Sequence, residues 1–338
     1  PLNYIIVRFF NKNEIFDIAS EKYFSLLDGY QKLENDVLAL SIENSYFKGL
    51  QEKLKNESTT LAKFKGLFDM LSYRRNVILS IFGNGIFYLD FLIAAIFNQR
   101  TKKLASIQES LDALSEIELL VSLAIIGLDN EYTCKPSFGN TLWVKEGFHP
   151  LVKNCIPNDF KLQKGTILTG SNMSGKTTFM RMLGINQLLA NAGGIVCAKE
   201  FSTIPNLTIV TSLRATDVLQ EGISTFYAEV NRMKNIMITS RNEKTLVLVD
   251  EIFKGTNAKD RIYAALKIID KLNHFNVPFI ITTHDFELCD AKDIVNFHFD
   301  EQYENDKILF DYKIKEGKCM KTNAIYLLKM AGVLENEE

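Results

Sequence analysis

Gly170-Ser171-Asn172-Met173-Ser174-Gly175-Lys176-Thr177 follows the apolar run Thr166-Ile167-Leu168-Thr169 and opens a helix-like stretch from Lys176 through Leu189. The spacing is G-x-x-x-x-G-K-[ST], set between a strand and a helix, which is the context a phosphate-binding loop requires. Glycines at both ends let the backbone turn its N–H groups toward phosphate oxygens, and the helix N-terminus adds positive potential. Lys176 supplies a full charge to the terminal phosphates, and the Thr177 hydroxyl suits Mg²⁺. Ser171, Asn172, Met173, Ser174 and Thr178 complete the expected nucleotide cradle. The loop alone names a superfamily of folds and no particular task.

Working outward, short apolar strands alternate with helical stretches: Thr166 to Thr169, Thr208 to Thr211, Thr245 to Val249 and Phe279 to Thr282. That alternation predicts an α/β sheet covered by helices. Leu246-Val247-Leu248-Val249-Asp250-Glu251 reads as a buried strand delivering two acids to the sheet's C-terminal edge. Asp250 is expected to hold Mg²⁺, and Glu251 to orient and deprotonate an attacking water. Phe279-Ile280-Ile281-Thr282-Thr283-His284 is a second such strand, whose histidine is placed to sense or stabilise a γ-phosphate. The cofactors implied are ATP and Mg²⁺. Ile294 to Phe299 and Lys307 to Ile314 alternate in period two around Tyr303-Glu304-Asn305-Asp306, the pattern of a hairpin, and Asn323 to Leu334 reads as a closing helix.

Upstream the texture differs. From Asn13 to Ile126 apolar residues recur at three-to-four spacing, and Pro is absent from Leu2 to Lys135. Leu104, Ile107, Leu111, Leu114, Ile117, Leu120 and Leu123 mark one long amphipathic helix. Near Tyr132, Pro136, Gly139, Gly147 and Pro150 begin to punctuate strand-like pieces such as Thr141 to Val144, so the boundary is placed there: a helical core or lever domain over 1–130 and an ATPase domain over 131–338. The apolar stretch Asn76 to Phe97 has nearly the length of a membrane span, but Asp90 and the glycines at 83 and 85 favour a buried core helix.

With 46% hydrophobic and 24% charged residues, a formal net charge of -2 and pI near 6.2, the chain has an ordinary globular composition without global attraction to nucleic acid. Cys134, Cys155, Cys197, Cys289 and Cys319 lack C-x-x-C spacing, which excludes a sequence-encoded zinc or redox pair and predicts reduced thiols. No secretory pattern is present at the start, and a cytoplasmic location is expected.

The motifs between these anchors resemble the MutS family of DNA-mismatch-repair ATPases, relatives of the ABC ATPases. Thr169 to Thr178 is similar to the family's T-G-P-N-M-x-G-K-S-T, and Asp250-Glu251-Ile252-Phe253-Lys254-Gly255-Thr256-Asn257 to its D-E-I-x-R-G-T-S. Ser224-Thr225-Phe226 with Glu229 resembles S-T-F-x-x-E, Thr283-His284 the A-T-H segment, and His149-Pro150-Leu151 with Ile156 before Pro157-Asn158-Asp159 the entrance to the ATPase domain. The likeness runs from about residue 130 to the end. It implies an ABC-type P-loop ATPase that dimerises through its nucleotide sites, with Ser224 and Thr225 reaching the partner's nucleotide in trans. It places Ile156 against the adenine ring and Asp260 in the loop that links the two sites.

Three positions depart from the pattern: Ser171 stands for proline, Thr177 for serine and Lys254 for arginine. Lys254 keeps the charge but loses the planar fork of a bidentate contact. The family's mismatch-reading domain, connector and clamp are not recognisable in this sequence. Residues 1–130 carry 14 Lys plus Arg against 16 Asp plus Glu, so basic clusters such as Arg74-Arg75 read as solvated helix faces. The resemblance implies DNA as partner. The near-neutral helical part makes a protein or membrane-associated partner the alternative.

Overall fold

The computed structural model describes residues 21–55, 78, 81–83, 92, 96, 104–171, 173–213, 225–242, 244–253, 257–304 and 307–319. The chain divides into two compact units, Pro1–Ser122 and Leu123–Glu338. In the first, helix α1 spans Glu21–Ala39 and α2 spans residues 45–55, and α3 (Leu104–Asp129) starts in this unit and continues past its last residue, Ser122. Val37, Leu50, Leu54, Ala113, Leu114 and Ile117 form their common core. Gln51 ties two segments by donating from Nε2 to the carbonyls of Val37 and Leu40, both at 2.9 Å. Most of Asn76 to Phe97, and the closing helix expected at Asn323 to Leu334, lie outside the described residues. Among those described, no helix is long and apolar enough to cross a membrane.

The second unit is mixed α/β. A four-stranded sheet has the order β1-β5-β2-β3, from Ser137–Phe138, Glu200–Thr203, Trp143–Gly147 and Asn158–Lys161. The strand expected at Thr141 to Val144 thus starts and ends later, because the ladder with β3 runs from Trp143 to Gly147 through a bulge. A six-stranded sheet has the order β10-β9-β4-β8-β7-β6. Its members are β4 (Gly165–Thr169), β6 (Thr208–Ser212), β7 (Thr245–Asp250), β8 (Phe279–Thr282), β9 (Val295–Glu304) and β10 (Lys307–Glu316). All pair in parallel except β10, which returns antiparallel on β9. Tyr303 and Glu304, expected in the turn, pair with Ile308 and Lys307, while Asn305 and Asp306 lie outside the described residues.

Every residue of β4, β7 and β8 is buried, as covering helices on both faces demand. The pleat then sorts neighbours onto opposite faces. Leu168, Leu246, Leu248 and Ile280 face one core, packed with Phe179, Met180 and Leu183 of helix α4 (Lys176–Asn191) and with the small sheet. Ile167, Val247, Val249 and Ile281 face the other, against Met233 and Ile236 of α5 (Thr225–Asn242) and Ala265, Ile269 and Leu272 of α6 (Ala258–His274). Full burial of such a side chain is worth about 2 kcal/mol relative to exposure. The Asn257 side chain caps α6 by accepting from the Asp260 N–H at 2.9 Å.

Candidate functional site

Three strand ends converge at one edge of the large sheet because β8 lies between β4 and β7. The register aligns Leu168 with Thr282 and Asp250 with Thr282, which brings the loop after β4 beside the two acids after β7. This is the crevice outside the carboxyl ends of the strands, where open α/β sheets bind ligands.

The loop after β4 is shaped by left-handed backbone. Gly170 has φ 141° and Gly175 φ 107°, and Met173 between them has φ 72°. A Cβ at Gly170 would sit 2.8 Å from the Phe299 carbonyl oxygen and 2.9 Å from Ser174 Oγ, so the position requires glycine. Gly175 is the N-cap of α4 and makes no side-chain capping bond, and a helix N-terminus of this kind favours an anion. Lys176 is buried, with Nζ donating to the carbonyls of Gly170 at 2.8 Å and Ser171 at 2.6 Å, so its charge is fixed over the loop.

Across the strand ends, Thr177 Oγ1 donates to Asp250 Oδ2 at 2.9 Å. Thr282 Oγ1 donates to the other oxygen, Oδ1, at 2.8 Å and accepts from the Glu251 N–H at 2.9 Å. Asp250 is buried, and both its oxygens are therefore oriented by hydroxyls. Glu251 has φ 55°, a left-handed turn that swings its carboxylate back over the crevice, 3.4 Å from His284 Nε2. The His284 side chain is 45% exposed and that of Glu251 14%, so the histidine is the solvent-facing member of the pair.

A cavity of about 610 Å³ opens here. Ser171, Met173, Gly175, Lys176, Thr177, Thr178, Glu251 and Ile156 are among its lining residues. Asp250 lies behind it, joined through Thr177. Among the described residues, no group of three or more His, Cys, Asp or Glu side chains is placed to hold a metal ion. A hydroxyl and one carboxylate suit Mg²⁺, which takes few protein ligands and leaves the rest to phosphates and water. Asn172, Ser224 and Lys254 lie outside the described residues, and Thr225 is described only as the first residue of α5.

The cavity also includes Tyr312, which motif reading does not single out, and Asn158, which it quotes only within the entrance segment. Tyr312, from β10, has φ 51° and lies where the β9–β10 register shifts between Phe310 and Ile314. Asn158 binds this bulge to the wall opposite: its Nδ2 donates to the carbonyls of Tyr312 at 2.9 Å and Ile156 at 3.1 Å, and its Oδ1 accepts from Ile314 N at 2.8 Å. Thr282, buried behind the cavity against Asp250, is a further residue whose part the motif reading did not give. Its sequence signal was a threonine directly before Thr283-His284, at a strand end.

His149 is buried, and its Nδ1 accepts from the Leu151 N–H at 3.2 Å. Burial, followed by the charge of Arg181, holds its pKa below the ordinary histidine range. Burial pushes the Cys197 and Cys289 thiols up to about 11.

A family model described as MutS domain V matches residues 166–336. The chain is 33% identical over 251 residues to a DNA mismatch repair protein MutS of Clostridium novyi, covering 69% of this chain and 27% of that protein. It is 33% identical over 233 residues to the MutS of Persephonella marina, covering 65% and 27%. With the MutS of Clostridioides difficile it shares 34% identity over 248 residues, covering 68% and 26%. The chain thus spans about a quarter of the length of these relatives.

Proposed function

This chain belongs to the MutS family, and we propose that it binds and hydrolyses Mg-ATP in the crevice of its large sheet, as a dimer serving DNA mismatch repair. The observation that carries the reading is the hydrogen-bonded run from Thr177 through Asp250 and Thr282 to the Glu251 backbone. It links a phosphate loop to a carboxylate pair as nucleotide hydrolysis requires. The names of the relatives, DNA mismatch repair protein MutS, support the process.

In this reading Lys176 and the N–H groups at the start of α4 bind the β- and γ-phosphates. Thr177 and Asp250 hold Mg²⁺, which when bound neutralises phosphate charge. Glu251 orients the attacking water and takes its proton, and His284 positions the Glu251 carboxylate and faces the γ-phosphate. Ile156 lies along the base. Ser224 and Thr225 complete the partner's site, and residues 1–130 are a lever domain moved by the ATPase domain of 131–338.

Glu251→Gln should keep Mg-ATP affinity and lose turnover, whereas Lys176→Ala should lose affinity, measured by fluorescent-nucleotide titration and phosphate release. Wild-type hydrolysis in Glu251→Gln refutes the assignment. The charge balance of the helical part, 14 basic against 16 acidic residues over 1–130, favours a second reading in which a protein replaces DNA as partner. Titration with homoduplex and mismatched DNA across a salt series separates the two, because phosphate contacts give a steep salt slope.

A further inference from the structure

Arg261, on the first turn of α6, meets Asp285, the residue after His284, through two parallel bonds. Its Nε donates to Oδ2 and its terminal nitrogen to Oδ1, both at 2.7 Å. The side chains are 26% and 15% exposed, so water screens the pair only in part. The bonds to Asp285 raise the Arg261 pKa, with Glu287 adding a smaller effect in the same direction.

Asp285 is held a second time by its own N–H, which donates to Thr283 Oγ1 at 2.9 Å. Thr283 in turn donates its N–H to the Leu168 carbonyl at 3.2 Å, on the strand that carries the phosphate loop. His284 is therefore flanked on one side by a residue bonded to β4 and on the other by a residue clamped to α6. Its Nε2 reaches Glu251 Oε1 between these two anchors.

We infer that the Arg261–Asp285 pair is a positioning element for hydrolysis: it fixes the turn that aims His284 at Glu251, and it ties that turn to the start of α6. The inference rests on the nucleotide-hydrolysing reading above. Neither residue lines the cavity, so both act through His284 and neither is catalytic. A planar guanidinium is needed for the two-bond grip, which a lysine cannot reproduce.

The test is steady-state hydrolysis by the full chain, with nucleotide affinity measured separately, for Arg261→Gln, Arg261→Lys, Asp285→Asn and the exchanged pair Arg261→Asp with Asp285→Arg. Each single variant should lower kcat about tenfold, a change of about 1.4 kcal/mol in barrier, with KM and affinity within about twofold of wild type. The exchanged pair should recover at least a third of the lost rate. Arg261→Lys, which keeps charge and bulk, guards against mere misfolding and should fall with the others. Unchanged kcat in Arg261→Gln and Asp285→Asn overturns the inference, as does a loss that appears in KM alone or that the exchanged pair fails to restore. A wild-type chain that binds but does not hydrolyse ATP overturns the functional reading instead.

Discussion

Replacing Thr282 by valine keeps the shape of a fully buried side chain and removes one oxygen with two partners. The Asp250 carboxylate loses a donor, worth about 1.5–3 kcal/mol for a bond to a charged group. The Glu251 N–H loses its acceptor at a left-handed residue, and a buried unpaired N–H costs about 1–3 kcal/mol. The extra methyl returns about 0.8 kcal/mol. Because Asp250 retains its bond from Thr177, part of the first loss is recovered, and the net destabilisation should be about 2–3 kcal/mol. Urea unfolding should show a lower midpoint with an unchanged slope. Hydrolysis should fall at least tenfold, since the bond that fixes the Glu251 backbone is gone, while Thr282→Ser should stay close to wild type on both measures. A valine variant within about 0.5 kcal/mol of wild type, with full turnover, would refute the claim that this hydroxyl organises the carboxylates.

Other outcomes follow from the same geometry. Gly170→Ala forces a side chain against the Phe299 carbonyl at φ 141°, so it should cost about 1–3 kcal/mol and abolish nucleotide binding, read by thermal unfolding and by titration. His149 takes up a proton less readily when folded than when unfolded. Its contribution is therefore intact above the unfolded pKa near 6.5 and is lost as pH falls from there toward the depressed folded value. Unfolding midpoints at pH 5 and 7.5 should differ less in His149→Asn, whose Oδ1 can replace Nδ1 as acceptor. Maleimide at neutral pH should modify Cys155, which lines the cavity, before Cys197 and Cys289, whose thiols titrate near 11. Peptide mapping after timed labelling checks the order.

The strands that carry the site were legible because their signals are local. Thr245 to Val249 and Phe279 to Thr282 are unbroken apolar runs ending in polar groups, and burial on both faces of a parallel sheet produces such runs. The phosphate loop was legible because its glycines, Lys176 and Thr177 keep a fixed spacing within one short stretch, although the contact that demands glycine at 170 comes from the distant Phe299 carbonyl. Tyr312 was not, and Asn158 stood in a quoted segment without its role, since their meeting depends on a register shift in a distant hairpin and on a bond across 154 residues of chain. Thr282 stood within a quoted segment, but its part as a bridge follows from strand order, which composition does not encode. In α3 the apolar stripe predicted the helix but not its exposure: Leu119, Leu120, Val121 and Ile125 are exposed while Leu114 and Ile117 are buried. Periodicity marks a face without saying how far along the helix its partner extends.

The central position of β4 also bears on how the molecule comes into being. Gly165 pairs with Phe279 and Thr166 with Val295, so both neighbours of the phosphate-loop strand are made long after it leaves the ribosome. Until then the strand offers two open edges, and its loop has no wall on either side. Assembly of the crevice is thereby a late event in synthesis, paced by slow long-range pairing. A chain interrupted before β8 would carry the whole glycine-rich signature and still have neither neighbour of β4, an open-edged fragment without the crevice.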